Sequence, residues 1–176
     1  MSHDRPVPGL RLGSMSLVEK HPCPCCGQPA LDEQPPGTFA ICPECAWEDD
    51  PVQAADPDAR GGANRLSLRE ARHDHQSRHA AACFPNLALL MGAYFHQDWN
   101  LDAEDELGTV RLFFSMESES VGLGLREELR LLAEDAWKED ELAGLFRNLG
   151  GCLIPTTDWR GWVSLVYSVT DNHPTR

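Results

Sequence analysis

Two CxxC pairs, Cys23/Cys26 and Cys42/Cys45, stand with 15 residues between them. No other feature restricts the folds open to this chain as strongly. The surrounding segment, from Lys20 to about Ala59, is rich in proline, cysteine and acid and poor in large apolar side chains. Hydrophobic burial alone cannot hold such a segment in one conformation, so a cross-link must do it. Four thiolates at this spacing close a tetrahedral structural site around one zinc ion. Pro24 fixes φ inside the first turn, and Gly27 permits the positive φ that faces backbone N–H groups to the sulfurs. Pro43 takes the equivalent place in "CPEC", but there Ala46 stands where a glycine would cost less. The first turn, "HPCPCCG", holds a third cysteine. Cys23 and Cys26 have chelating spacing, whereas Cys25 neighbours Cys26 and points elsewhere, as a spare or supporting thiol.

Two other uses of these cysteines compete with structural zinc. A redox CxxC sits beside a strand–helix unit, and no such pattern is present. A catalytic zinc needs an open coordination position, which four thiolates do not leave. Seven cysteines are an odd number, and five of them fall between Cys23 and Cys45. That suits a metal site in a reducing cytoplasm better than a disulfide framework. The longest apolar run, 87–95, is too short to span a bilayer, and the first twenty or so residues contain no signal-peptide segment. A cytoplasmic location is the expectation.

The remaining chain changes character. Residues 1–19 mix proline, glycine, serine and charge without periodicity and read as a flexible tail. Ser67 and Glu70 form a capping box that starts a helix running to about Ala82, and Pro85 marks its end. The domain boundary is therefore placed between 83 and 84, giving a cysteine-rich domain over 20–83 and a helical domain over 84–172. In the second domain, Leu87, Leu90, Met91, Tyr94 and Phe95 repeat at helical spacing. So do Leu107, Val110, Phe113 and Phe114; Leu125, Leu129 and Leu132; and Leu142, Leu145, Phe146 and Leu149. Gly150-Gly151 stops the fourth of these, and Asp158 caps a fifth bearing Trp159, Trp162, Val163, Val166 and Tyr167. Gly122 and Gly124 weaken the start of the third helix. The fold class expected is a small zinc-ribbon-like domain followed by an all-α helical bundle.

Other candidate sites have plainer readings. His73, His75 and His79 share a helix with Arg72 and Arg78, which repel a cation, so they read as a solvated face. Cys83 and Cys152 read as buried structural cysteines. Glu48, Asp49 and Asp50 in "WEDDP" read as surface charge, since consecutive carboxylates do not converge on a cation without a defined loop. His96, Gln97 and Asp98, at the end of an aromatic helix, read as a hydrogen-bonded corner. None supplies the nucleophile and base of a catalytic site, and no enzymatic activity is expected.

Two stretches carry family resemblances. "HPCPCCG", followed by "ICPECAWEDDPVQAADPDARGGANRLSLREAR", resembles the CPCC family of small cysteine-rich bacterial domains over roughly 20–75. That resemblance implies a zinc-ribbon-like fold and little about function. "LLMGAYFHQDWNLD", followed by "ELRLLAED" and "DELAGLFRNLGG", resembles immunity proteins of contact-dependent growth-inhibition systems over roughly 84–169. It implies a cytosolic antidote that binds the toxic domain of a delivered effector. The glycine pair at 122 and 124 and the "TTDWRGW" ending depart from the expected pattern.

Charge agrees independently. The chain holds 28 acidic and 15 basic residues, a formal −13. From Phe84 onward there are 16 acidic and 7 basic residues, or −9. Such a field repels phosphate backbones and anionic membranes and attracts basic partners. A basic toxin domain, with nucleases among the expected chemistries, is the partner this implies; neither nucleic acid nor membrane is. Asp98, Asp102, Glu104 and Asp105 are the candidate toxin contacts. The rival reading is a zinc-ribbon adaptor for nucleic acid or protein, with a thiol redox protein behind it. Nucleic-acid binding calls for a basic stripe, and residues 1–83 carry 8 basic against 12 acidic residues.

Overall fold

The computed structural model describes residues 19–170. The expected tail over 1–19 lies outside the described residues apart from Glu19, as do the last two positions of the expected helical domain. The chain is a cysteine-rich module with a two-stranded sheet, followed by a helical module; no helix among the described residues is long and apolar enough to cross a membrane.

In the first module, β1 (His21–Pro22) pairs antiparallel with β2 (Pro29–Leu31). A single bridge joins Ile41 to Glu48 around the second cysteine pair. A short helix, α1 (Pro51–Ala55), then leads into a loop and α2 (Leu68–Cys83). The capping box at the start of α2 forms as expected: Ser67 Oγ accepts from Glu70 N–H at 3.2 Å, and Glu70 accepts from Ser67 N–H at 3.0 Å. The apolar cluster of this module is small, with Cys23, Leu31, Cys42, Trp47 and Leu68 buried.

Asp49 and Asp50 are not surface charge, as the sequence suggested; they are buried at 1% and 6% exposure. The turns of this module leave backbone donors with no ladder to join, and carboxylates satisfy them. Asp49 accepts from both Thr38 N–H and its hydroxyl, at 2.9 and 2.8 Å. Asp50 accepts from Val52 N–H at 2.7 Å, capping α1, and from Ala63 N–H at 2.8 Å. The Ala63 and Val52 amides hold the Asp50 carboxyl below the usual carboxylate range. Gln53, fully buried, donates to the carbonyls of Ala59, Asn64 and Leu66 and accepts from Asn64. The module is thus braced by polar side chains as much as by apolar ones.

The second module comprises α3 (Pro85–Leu89), a π-helical turn (Leu90–Tyr94), α4 (Trp99–Asp102), α5 (Glu106–Met116), α6 (Glu119–Glu134), α7 (Glu139–Leu149) and α8 (Trp159–Thr170). The periodic segments all become helices, but the first is interrupted. After Leu89 it widens into the π turn, and Phe95 N–H bonds the carbonyl of Leu90 at 3.2 Å. α8 packs against α6 and α7, α3 against α6, and the π turn between α5 and α7. Trp162 fills the centre, fully buried, with Phe95 and Phe146 edge-on at 5.9 and 5.4 Å. Trp159 stacks on Phe146 at 4.1 Å. The aromatic "TTDWRGW" ending is therefore core material, introduced by the expected cap in which Asp158 accepts from Gly161 N–H at 2.7 Å.

Three further expectations are corrected. α6 runs from Glu119 through both glycines, so its start is not displaced by them. A Cβ on Gly124 would strike the Asn86 side-chain amide, and one on Gly122 would lie 3.1 Å from the Phe114 ring. Close packing against α3 and α5 selects glycine here, despite its helix cost of about 1 kcal/mol. Cys83 is exposed, because the inward stripe of α2 passes through Ala80 and on to Phe84, about 100° around the helix from Cys83. Cys152 is exposed too; its N–H bonds the Phe95 carbonyl at 2.6 Å while the next residue, Leu153, turns inward.

α2 belongs to both modules. Leu68 and Ala71, at its start, join the cysteine-rich cluster, and Arg72 Nε donates to the Pro24 carbonyl at 2.8 Å. Ala80, near its end, joins the helical core as α2 packs along α7.

Candidate metal centre and acidic surfaces

The two CxxC turns share one hydrogen-bond pattern. Cys23 N–H donates to Gln28 O and Gly27 N–H to Cys23 O, both at 2.9 Å. In the second turn Cys42 N–H donates to Trp47 O at 2.8 Å and Ala46 N–H to Cys42 O at 2.9 Å. The residue after each pair is left-handed: Gly27 at φ 75° and Ala46 at φ 60°. Ala46 therefore adopts the geometry a glycine would take without strain, as its position implied.

The turns face each other so that the sulfurs of Cys23, Cys26, Cys42 and Cys45 all lie within 4.8 Å of one another. Cys23 Sγ is 3.7 Å from Cys45 Sγ, and Cys26 Sγ is 3.7 Å from Cys42 Sγ. These are not disulfides, whose sulfurs stand about 2 Å apart. They match the edge of a tetrahedron with zinc–sulfur bonds of about 2.3 Å, which is about 3.8 Å. The donor set and its spacing fit a metal ion held by four thiolates. Cys25 lies outside this group; its N–H points at Cys23 Sγ, 3.4 Å away.

Burial pushes the Cys23 thiol far above its ordinary value and the Cys45 thiol up to about 12. Burial also raises Cys25. At Cys42 burial acts the same way, but N–H groups of Cys45 and Glu44 oppose it and the net shift is downward. Bringing four such groups together as thiolates without a cation is unfavourable, and a bound metal removes that penalty.

The four acidic residues singled out from sequence are all exposed, along the corner between the π turn and α5. Asp98 precedes α4 and Asp102 ends it. His96 organises the corner: its Nδ1 accepts from Asp98 N–H at 3.2 Å, which places the ring proton on Nε2, 3.0 Å from Asp102 Oδ2. Glu104 lies in the following loop. Asp105 caps α5, accepting from Gly108 N–H at 2.6 Å, so part of its charge is already committed. The histidines of α2 do not converge on a metal: among the described residues the four-cysteine cluster is the one group placed to hold an ion.

Sequence reasoning missed several carboxylates that organise the helical module. Buried Glu128, on α6, accepts from Asn86 N–H at 3.1 Å and Leu87 N–H at 2.7 Å, satisfying the first amides of α3. Glu139 does the same for α8, accepting from Trp159 N–H at 2.8 Å and Arg160 N–H at 3.1 Å. Glu117 accepts a hydrogen bond from the Tyr94 hydroxyl at 2.6 Å. Burial, then the neighbouring Glu117, raises the Tyr94 phenol to about 12. Also missed was an opening between α6 and α7 lined by Asp135, Ala136, Trp137 and Glu141. The string "EDAWKEDE", a tryptophan among five acids, was its available signal.

Among curated proteins no match was found. Family models match the chain in two parts that overlap just after α2. Residues 21–87 match the Cysteine-rich CPCC family and residues 83–168 match the CdiI immunity protein family.

Proposed function

We propose that the chain is an immunity protein that neutralises a cognate toxin domain by binding it, without catalysis, in the cytoplasm. The single observation that carries this reading is the immunity-protein match over 83–168, which spans nearly all of the helical module. The acidic balance of that module supports a basic partner such as a nuclease, whose phosphate-binding cleft an acidic surface can occupy. Zinc is the metal proposed at Cys23, Cys26, Cys42 and Cys45, where it holds the two turns together and leaves no position for substrate. The exposed corner bearing Asp98, Asp102, Glu104 and Asp105 is the proposed contact surface.

The test is co-expression of the full chain with the toxin encoded beside it. Growth should be rescued, and a 1:1 complex should survive purification. The full chain is needed because α2 covers α7 and a cut at 84 would strip it away. Charge acts mainly on encounter, so added salt should slow association more than it hastens dissociation. Reversing Asp98, Asp102 and Glu104 to lysine should slow capture while the fold stays intact. Asp105→Asn is the suitable change at the fourth position, since it keeps an acceptor for the α5 cap. A chain that neither binds nor protects would end the immunity reading.

A further inference from the structure

The turn between α6 and α7 is strongly acidic. Five carboxylates and one lysine lie between Glu134 and Glu141. Several are occupied: Glu134 pairs with Arg130, and Glu139 caps α8. One oxygen of Glu141 accepts from Lys138 N–H at 2.8 Å. The Asp135 side chain has no hydrogen bond within the described residues, and it lines a shallow, widely open depression with Ala136, Trp137 and Glu141. Trp137 is half-buried and held edge-on by Phe84, ring centres 6.5 Å apart at 71°. An indole already fixed by the core loses little freedom on binding, as interface anchors require.

We propose that this opening receives an arginine side chain of the basic partner, its guanidinium lying against Trp137 between the carboxylates of Asp135 and Glu141. The proposal rests on the immunity reading for the partner's identity, but the pocket's chemistry can be tested separately. Anions are repelled by the two carboxylates. A neutral apolar side chain would desolvate those carboxylates with nothing to pair them. Arginine answers both surfaces, because its planar, weakly hydrated cation stacks on indole and hydrogen-bonds carboxylates in the same plane. Lysine offers only a point charge, so it should bind more weakly.

The probe is a five-residue peptide with a central arginine, titrated into the 15N-labelled full chain while the Trp137 indole resonance is followed. Trp137→Phe assigns that resonance. The arginine peptide should shift it saturably, and the citrulline counterpart, isosteric but neutral, should not. Asp135→Asn with Glu141→Gln, which keeps the acceptor for Lys138 N–H, should weaken the response roughly fivefold or more. No shift, or an equal shift with the citrulline or leucine peptide, overturns the proposal. In the toxin complex, Trp137→Ala should raise the dissociation rate about tenfold. A complex unchanged by Trp137→Ala and by the double variant overturns the pocket and leaves the immunity reading standing. A titratable pocket in a chain that binds no toxin does the reverse.

Discussion

Among the described residues, the apolar cluster of the cysteine-rich module buries five, two of them cysteines, whereas the helical core, with Ala80 of α2, buries eighteen. The first cannot close by excluding water, so its order depends on four sulfurs and on side chains such as Asp49, Asp50 and Gln53 that occupy backbone donors and acceptors. The second closes around Trp162 and uses polar groups mainly to finish helix ends and loops. The same chain therefore contains one module whose stability we propose to be tied to a metal ion and one whose stability is tied to buried area. α2 is the element on which the two kinds of stability meet.

Removing a metal ligand should separate the modules most sharply. Cys26→Ser, or a strong chelator, should unfold the cysteine-rich module, because metal binding there supplies much of the folding free energy. The bundle should persist, with far-ultraviolet circular dichroism retaining most of its helical signal. Cys25→Ser should still hold one zinc by elemental analysis, and its losing the metal as fully as Cys26→Ser would refute the ligand assignment. Without metal, burial keeps Cys23 and Cys45 protonated well above neutral pH. Zinc takes only thiolates, so loading at pH 7 should release protons, and affinity should fall as pH falls. Calorimetry in buffers of different ionisation enthalpy reads that release; none would contradict the raised thiols.

The converse change is Trp162→Ala. It should cost about 3–5 kcal/mol, by lost burial and the cavity left behind, while zinc content stays at one per chain. Denaturant melts of the helical signal measure it. A variant that loses zinc in step with its helices would show the modules to be one cooperative unit joined through α2. Glu128→Ala should have a smaller effect, about 1–3 kcal/mol, because it strands amides of Asn86 and Leu87 inside the bundle. Hydrogen exchange should then quicken at the start of α3 before it does elsewhere. Ala46→Gly should be the mildest, stabilising the metal-bound module by about 0.5–1 kcal/mol as a left-handed residue loses its Cβ. Thermal unfolding of the zinc-loaded chain would show a small rise, and a fall would mean that the methyl group packs usefully.

Some of this architecture was legible in the residues alone, and for one reason. The CxxC spacing, the Ser67–Glu70 box, the Asp158 cap and the leucine periods all act within a few positions of themselves, so the chain states them locally. The four sulfurs needed only their spacing to suggest a shared site, though their 3.7 Å contacts required the two turns to face each other. What the sequence could not state depends on partners far along the chain. Glu128 reads as one acid among leucines until its partners, more than 40 positions earlier, arrive beside it. Gly122 and Gly124 read as a weak helix start until Phe114 and Asn86 occupy the space a side chain would need. Asp49 and Asp50 read as surface charge until Thr38 and Ala63 present their amides. Local sequence marked the main helices and the thiols able to share a site. Tertiary packing alone decided which charges are buried and which cysteines face water, because burial belongs to the assembled neighbours and not to the residue.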